Sequence, residues 1–498
     1  MSGDRTLVVA VDCSTTAAKA VVVDAAGGVV GAASAPLATS SPHPAWHEQD
    51  AGEWWTAARA AIAGAVAASG RAADVGAVCL THQRETFVCT DDAGRPLRPG
   101  ILWLDGRAHA EIAEHGTPRV HALSGKPPDT TPAIYKLAWL ARHEPAVLRA
   151  AARVGDVHAV LAHHLTGRWA TSTQSADTLG LFDLRALDWS PELLAVAGVR
   201  AEQLPDLVPA GAPIGPLLPD VATDLGLPGP VPLVAGIGDG QAAGLALGAT
   251  APGVAYLNLG TSMVLGVQSP RYTTDAAFRT LAGVPAGQYT LETVLNAAAY
   301  LASWARERFG AGATLAEMED AAAHVPPGAE GLLLLPYWNA AQTPYWDPLA
   351  RGAVVGWHGR HTPAHLYRAV LEGVAFELRL HLARLEATTG RVEQIRAVGG
   401  GARSPLWVRI VADVVQRPVR VCSAGEVSAA GAARLARAFL DGTDPAGAVP
   451  APAGHDVAPD PAADAVYGPL AAVHGRLYPQ LRDVFAELAA VTGTDAPA

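Results

Sequence analysis

Two short stretches of this 498-residue chain have a composition that suits phosphate. Asp12-Cys13-Ser14-Thr15-Thr16, with Lys19 just beyond, stands between two apolar runs, and Asn258-Leu259-Gly260-Thr261-Ser262 does the same in the second half. A strand, a tight hydroxyl-bearing turn and a second strand offer backbone N–H groups and hydroxyls to a polyphosphate. Such turns also join strands for purely local reasons, so five residues leave both readings open. Asp239 follows an apolar run within Ala235-Gly236-Ile237-Gly238-Asp239-Gly240. An acid in that setting can act as a general base, and it can equally cap its own turn. The stretch Gly399-Gly400-Gly401-Ala402-Arg403-Ser404-Pro405-Leu406-Trp407 lets a flat ligand lie on the backbone, while Ser404 can cap the helix that Pro405 opens. Gln83-Arg84-Glu85-Thr86 and Trp103-Leu104-Asp105-Gly106-Arg107 alternate donors and acceptors beside an indole. That pattern suits a polyol, and it also suits a salt-bridge network.

These residues need strand ends to hold them. Apolar runs at 7–11, 20–23, 77–80, 87–89, 101–103, 232–235, 254–259, 263–267 and 395–398 predict strands. Helices are predicted at 53–68, 133–142, 157–165, 297–309, 363–386, 405–415 and 427–440. Strands mixed with helices in both halves predict an α/β protein with two sheets. Its length argues for two or more domains, because single cores seldom grow past ~250–300 residues. The Pro/Ala/Gly-rich stretch 442–465 reads as a loop or flexible insertion, followed by one terminal helix around 467–488.

Composition excludes several classes. Half the residues are hydrophobic and 17% are charged, which rules out a mainly disordered chain. The net charge is −11, the lysines are Lys19, Lys126 and Lys136, and no basic run occurs. Neither nucleic acid nor an anionic membrane is an expected partner. Cys13, Cys79, Cys89 and Cys422 form no disulfide framework and have no close zinc spacing. Cys13 beside Asp12 reads as apolar strand filler. No apolar run approaches the ~20 residues of a membrane span, and no signal-peptide core opens the chain, so a cytoplasmic location is expected. The Gly125-Lys126 pair runs into Pro127 and so is no P-loop. A dinucleotide fingerprint fails at Gln241, where Gly or Ala is wanted, and no acid follows about 20 residues on.

Taken in order, Asp12–Lys19, Glu48-Gln49-Asp50 with Trp54-Trp55, Gln83–Thr86, Trp103–Arg107, Gly238-Asp239, Gly260–Ser262 and Gly399–Trp407 resemble the FGGY carbohydrate kinases across nearly the whole chain. Segment 352–372 resembles that family's C-terminal signature, with Trp357 where an aliphatic is usual. The resemblance implies two ribonuclease-H-like domains of the actin/hexokinase type flanking a cleft, divided here as 1–245 and 246–498. It implies ATP and Mg²⁺ as cofactors and a small sugar or polyol as partner, and a homodimer is compatible with it. Asp239 corresponds to the catalytic base. Asp12, Thr15, Thr16, Lys19, Gly260, Thr261, Gly400, Gly401 and Ser404 fall on the nucleotide motifs, and Asp12 with Asp239 on the metal acids. Gln83, Arg84, Glu85, Trp103 and Asp239 fall on the sugar site.

The departures divide the substrate reading. Arg84-Glu85 resembles glycerol kinases where xylulokinases usually have Met-His. Glu48-Gln49-Asp50, Gly260-Thr261-Ser262 and Ser404–Trp407 resemble xylulokinases more. Asp239-Gly240 and Thr131 stand where glycerol kinases have Asp-Gln and Tyr, and Ala17 replaces a common glycine. The expected reaction is phosphorylation of a terminal hydroxyl, of a ketopentose such as D-xylulose first, then of another ketose or alditol, then of glycerol. A non-catalytic sugar or nucleotide sensor, or a hydrolase acting on water, is the alternative of another class. The sugar grip and the phosphate hairpins are expected to lie apart.

Overall fold

The computed structural model describes residues 5–285, 287–423, 425–447 and 452–492. Its first sheet has six strands in the order Pro213–Pro216, Pro232–Gly238, Val75–His82, Leu7–Cys13, Ala17–Val23, Val29–Pro36. Leu7–Cys13 pairs antiparallel with Ala17–Val23 and parallel with Val75–His82. It is buried at every position because both faces are covered. Leu7, Val9 and Val11 pack with Trp54, Ala58 and Ile62 of helix Ala51–Ser69. Val8 and Ala10 face the other way, onto Ala429, Ala432 and Leu435 of helix Val427–Asp441. Alternation along the strand thus feeds two cores.

The second sheet has seven strands in the order Arg279–Ala282, Tyr289–Leu295, Met263–Ser269, Val254–Leu259, Gln394–Val398, Val419–Cys422, Gly454–Val457. Helices Pro363–Thr389 and Pro405–Val415 supply much of its core. Both sheets share one plan: an antiparallel hairpin, a third antiparallel strand on one side, and two parallel strands on the other. This is the duplicated ribonuclease-H-like α/β arrangement that the family resemblance implies. A separate four-stranded sheet, Glu48–Gln49, Gly100–Ile101, Phe87–Thr90, Arg153–Asp156, supports an insertion on the first lobe with its own core of helix Ala133–His143 and neighbours.

Three features differ from the sequence expectation. Within the expected loop 442–465, Gly454–Val457 forms an antiparallel edge strand on Val419–Cys422, while residues 448–451 lie outside the described residues. A short polar stretch has no periodicity to announce it, and the neighbouring strand edge supplies its hydrogen bonds. The expected terminal helix is two, Asp464–His474 and Leu477–Thr492. Pro479 explains the break: its ring would clash with the carbonyl of residue 475 in a continuous helix. Helix Val427–Asp441 lies in sequence between two strands of the second sheet but packs on the first. Gly431 makes that approach feasible, because a Cβ there would sit 2.1 Å from the Ala242 carbonyl oxygen.

Candidate active site

Asp12 ends the central strand of the first sheet, cross-strand from Lys19. Its side chain is buried and its Oδ1 has no hydrogen-bond partner among the described residues. Burial first, then the charge of Asp239, pushes the Asp12 carboxyl up to about 8, with Lys19 opposing and Glu426 adding. Two acids that share a pocket and stay ionised need a counter-charge. Asp239 begins helix Asp239–Ala246, immediately after strand Pro232–Gly238, rather than lying in an open turn. Its Oδ1 accepts from the Gly240 N–H at 2.7 Å and pairs with Arg84 Nε at 3.2 Å. Its side chain is 39% exposed, against 8% for Arg84. Asp239 therefore bonds the next N–H of its own helix and still has an accessible carboxylate. Lys19 Nζ meets Glu426 at 2.9 Å, and Ser428 Oγ donates to the Asp239 carbonyl at 3.2 Å. Burial raises the Cys13 thiol far above its ordinary range, which removes it as a nucleophile.

The first hairpin is wired into the fold. Trp103 Nε1 donates to Thr15 Oγ1 at 3.0 Å, and Thr15 donates to Gln83 Oε1 at 3.1 Å. Gln83 donates to Gln49 at 2.9 Å, and Gln49 returns to the Thr15 carbonyl at 2.6 Å. Thr16 is exposed. The sugar segment and the first hairpin are thus bonded to each other, not separate as expected. The second hairpin closes through Gly260 N–H to Ser262 O at 3.0 Å and leaves Thr261 exposed. Against it lies the triple-glycine turn. Gly399 has φ +98°, and a Cβ there would sit 2.7 Å from Asn258 Oδ1, so the chain itself requires this glycine. Gly401 packs on Leu259 and Trp407, while Gly400 faces open space. Ser404 Oγ accepts from the Trp407 N–H at 3.1 Å and caps helix Pro405–Val415.

The Gln-Arg-Glu-Thr segment is buried, so it forms no surface network. Arg84 donates to Glu292 at 3.0 and 3.2 Å. Arg279 donates to Glu85 at 3.0 Å and to Glu292 at 2.7 Å, and Tyr256 Oη to Glu292 at 2.6 Å. Glu85 carries φ +59°, a left-handed conformation unusual for a side chain of its size. Burial alone would raise the Glu292 carboxyl, but Arg279 and Arg84 hold it down at about 2. Asp105 and Arg107 turn inward, with Arg107 bonded to Asp105 and Glu48 and stacked 3.8 Å from the Trp46 ring. Lys136 Nζ anchors the Trp103 loop through the carbonyls of Leu102 and Trp103. Sequence reasoning missed Tyr256, Arg279, Glu292, Glu426 and Ser428. A lone acid inside the strand run Tyr-Thr-Leu-Glu-Thr-Val-Leu was the available signal for Glu292.

Two sheets of one plan, each carrying a hydroxyl-bearing hairpin, with two coupled acids on the first, fit a sugar-kinase type of phosphotransferase. The chain belongs to the FGGY family of carbohydrate kinases, whose N-terminal domain matches residues 7–246 and whose C-terminal domain matches 255–439. It is accordingly an enzyme that transfers phosphate to an alcohol group. It is 32% identical to a xylulose kinase of Escherichia coli K12 over 437 residues, covering 86% of this chain and 89% of the relative. It is 34% identical to a glycerol kinase of Bordetella parapertussis over 469 residues, covering 89% and 91%. The crystal structure of xylulose kinase from Rhodospirillum rubrum superposes with a TM-score of 0.90 at 32% identity, covering 96% of this chain and all of that one. Among the described residues no helix is long and apolar enough to cross a membrane.

Proposed function

We propose that this kinase transfers the γ-phosphoryl group of ATP to a terminal hydroxyl of a ketopentose, D-xylulose before other ketoses and alditols. The carrying observation is Asp239, whose accessible carboxylate pairs with Arg84 at 3.2 Å and is electrostatically coupled to buried Asp12. Asp239 takes the proton of the attacking hydroxyl as the oxygen meets the γ-phosphorus in line. Hairpin N–H groups, Lys19, Thr16 and Thr261 hold the nucleotide, with Thr15 fixing the first hairpin and Gly400 giving the adenosine an open face. Ser404 shapes that face by capping the adjoining helix. The remaining N–H groups of Arg84, the free oxygen of Glu85 and the Trp103 face meet the sugar, and Gln83 braces them. Catalysis of this type is mostly positioning and charge stabilisation.

Asp12 and Asp239 fit a magnesium ion, because Asp12 carries a buried oxygen without a partner beside a second acid. When bound there, the ion would neutralise phosphate charge. By this assignment the first lobe, residues 1–245, serves the sugar and one hairpin, and 246–498 serves the nucleotide, with helix Val427–Asp441 returning to the first lobe. Names of relatives support the ketopentose reading through the xylulose kinases. Arg84-Glu85 and the 34% identity to a glycerol kinase favour glycerol as the second reading. A coupled ADP-release screen over pentuloses, hexuloses, alditols and glycerol tests it. D-Xylulose should give the highest kcat/KM, and a higher value for glycerol overturns the first reading.

A further inference from the structure

The two lobes meet at a reciprocal clasp. Arg84 and Glu85 are consecutive on the first lobe, while Arg279 and Glu292 stand directly opposite each other on adjacent antiparallel strands of the second. Arg84 takes Glu292, Glu85 takes Arg279, and Arg279 also takes Glu292. Glu292 has no exposed surface and receives a third donor, Tyr256 Oη at 2.6 Å. Tyr256 lies on strand Val254–Leu259, which runs into the Gly260-Thr261 hairpin. The Arg84 Nε forms an ion pair with Asp239 Oδ1 at 3.2 Å. A guanidinium is a rigid plane, so fixing both terminal nitrogens on one carboxylate also fixes the direction of the third.

We propose that Glu292 is a positioning residue for the phosphoryl transfer: by holding both terminal nitrogens of Arg84 it sets where Nε meets Asp239. This rests on Asp239 being the general base. A buried ion pair is poor evidence for stability, because desolvation offsets much of its attraction. What the arrangement adds is geometry and charge balance at the acid. Within the clasp two arginines face two glutamates, so the Arg84 charge is already largely spent before it reaches Asp239. Replacing Glu292 by Gln turns one of its acceptor oxygens into an amide donor, so Arg84 loses one anchor and its Nε is free to shift from Asp239.

The test uses the full-length enzyme with its best sugar and saturating MgATP, comparing Glu292→Gln, Tyr256→Phe and Asp239→Asn with wild type. Glu292→Gln should lower kcat roughly 10- to 100-fold, the scale of a misplaced catalytic group. The KM for MgATP should stay within about twofold, because the hairpins are untouched. Tyr256→Phe should lower kcat about 2- to 5-fold, one neutral-donor hydrogen bond, again with the MgATP KM unchanged. A folded Glu292→Gln enzyme with wild-type kcat, or one whose loss lies in KM alone, overturns the proposal. If that variant does not fold, a wild-type kcat in Tyr256→Phe overturns it. An active Asp239→Asn enzyme removes the base assignment itself, whereas an inactive one beside a normal Glu292→Gln removes only the role of Glu292.

Discussion

The two hairpins look alike in sequence and are held differently. Thr15 sits in a closed ring of hydrogen bonds with Trp103, Gln83 and Gln49. Thr261 lies exposed, its backbone carbonyl accepting from the Ala298 N–H at 2.9 Å, beside the glycine turn at Gly399. One copy of the motif is therefore joined to the Gln83–Thr86 segment, and the other keeps its hydroxyl exposed. Duplication supplies the same backbone frame twice, and the residues around each copy decide what it reports to.

The largest expected effect lies between the hairpins. Asp239→Asn should retain ATP binding and lose roughly 10²–10⁴-fold in kcat, the span of general-base loss. Isothermal titration with a non-hydrolysable nucleotide, beside steady-state kinetics, checks both halves. Near-normal turnover would leave the hairpins without the acid they are proposed to flank.

Thr15→Val is the variant that separates the two copies. It strands the Trp103 indole N–H and leaves the Gln83 side-chain carbonyl with Thr86 as its donor, a loss of ~1–3 kcal/mol, or roughly 5- to 150-fold in kcat/KM. Both the sugar and the MgATP constants should suffer, because the ring joins both sites. Thr261→Val should raise only the KM for MgATP, by about fivefold, the worth of about one hydrogen bond. If both variants are defective toward the nucleotide alone, the wiring of the first hairpin has no functional weight.

The smallest effect concerns Asp12, which only the first hairpin carries. Its carboxyl is raised in the folded chain to about 8, from the 3.8 of a free side chain, by burial and by Asp239. Between those values the native state keeps a proton that the unfolded chain has lost, so stability falls as pH rises through this window. Asp12→Asn should therefore melt a few degrees above wild type at pH 8 to 9, with the gap closing toward pH 4. Differential scanning calorimetry across that range decides it, and a gap that widens on acidification would contradict the assignment.

Much of the site was legible because its parts are local. Asp12, Asp239, Gly260-Thr261 and Gly399–Gly401 each follow a strand whose apolar run is visible, and the observed strands Val254–Leu259 and Met263–Ser269 start where the runs do. Helix Pro405–Val415 is bounded by its own Ser404 cap and Pro405, signals that lie next to each other in the chain. The Arg84-Glu85 segment was visible as chemistry, suited to a polyol or to a salt-bridge network, but the partners that take most of its bonds, Glu292 and Arg279, were not.

By itself the sequence determined the strand and helix pattern, the two hydroxyl turns and the acids at strand ends, because periodicity and capping depend on residues a few positions apart. Only the tertiary structure decided which charges meet. Arg84 and Glu292 are 208 positions apart, and their pairing depends on where the two lobes touch and on how completely water leaves that contact. The return of helix Val427–Asp441 to the first sheet, and the edge strand Gly454–Val457, were decided the same way. Alanine-rich faces fit many partners, and a strand edge binds backbone without regard to side chains, so neither leaves a mark in the local sequence.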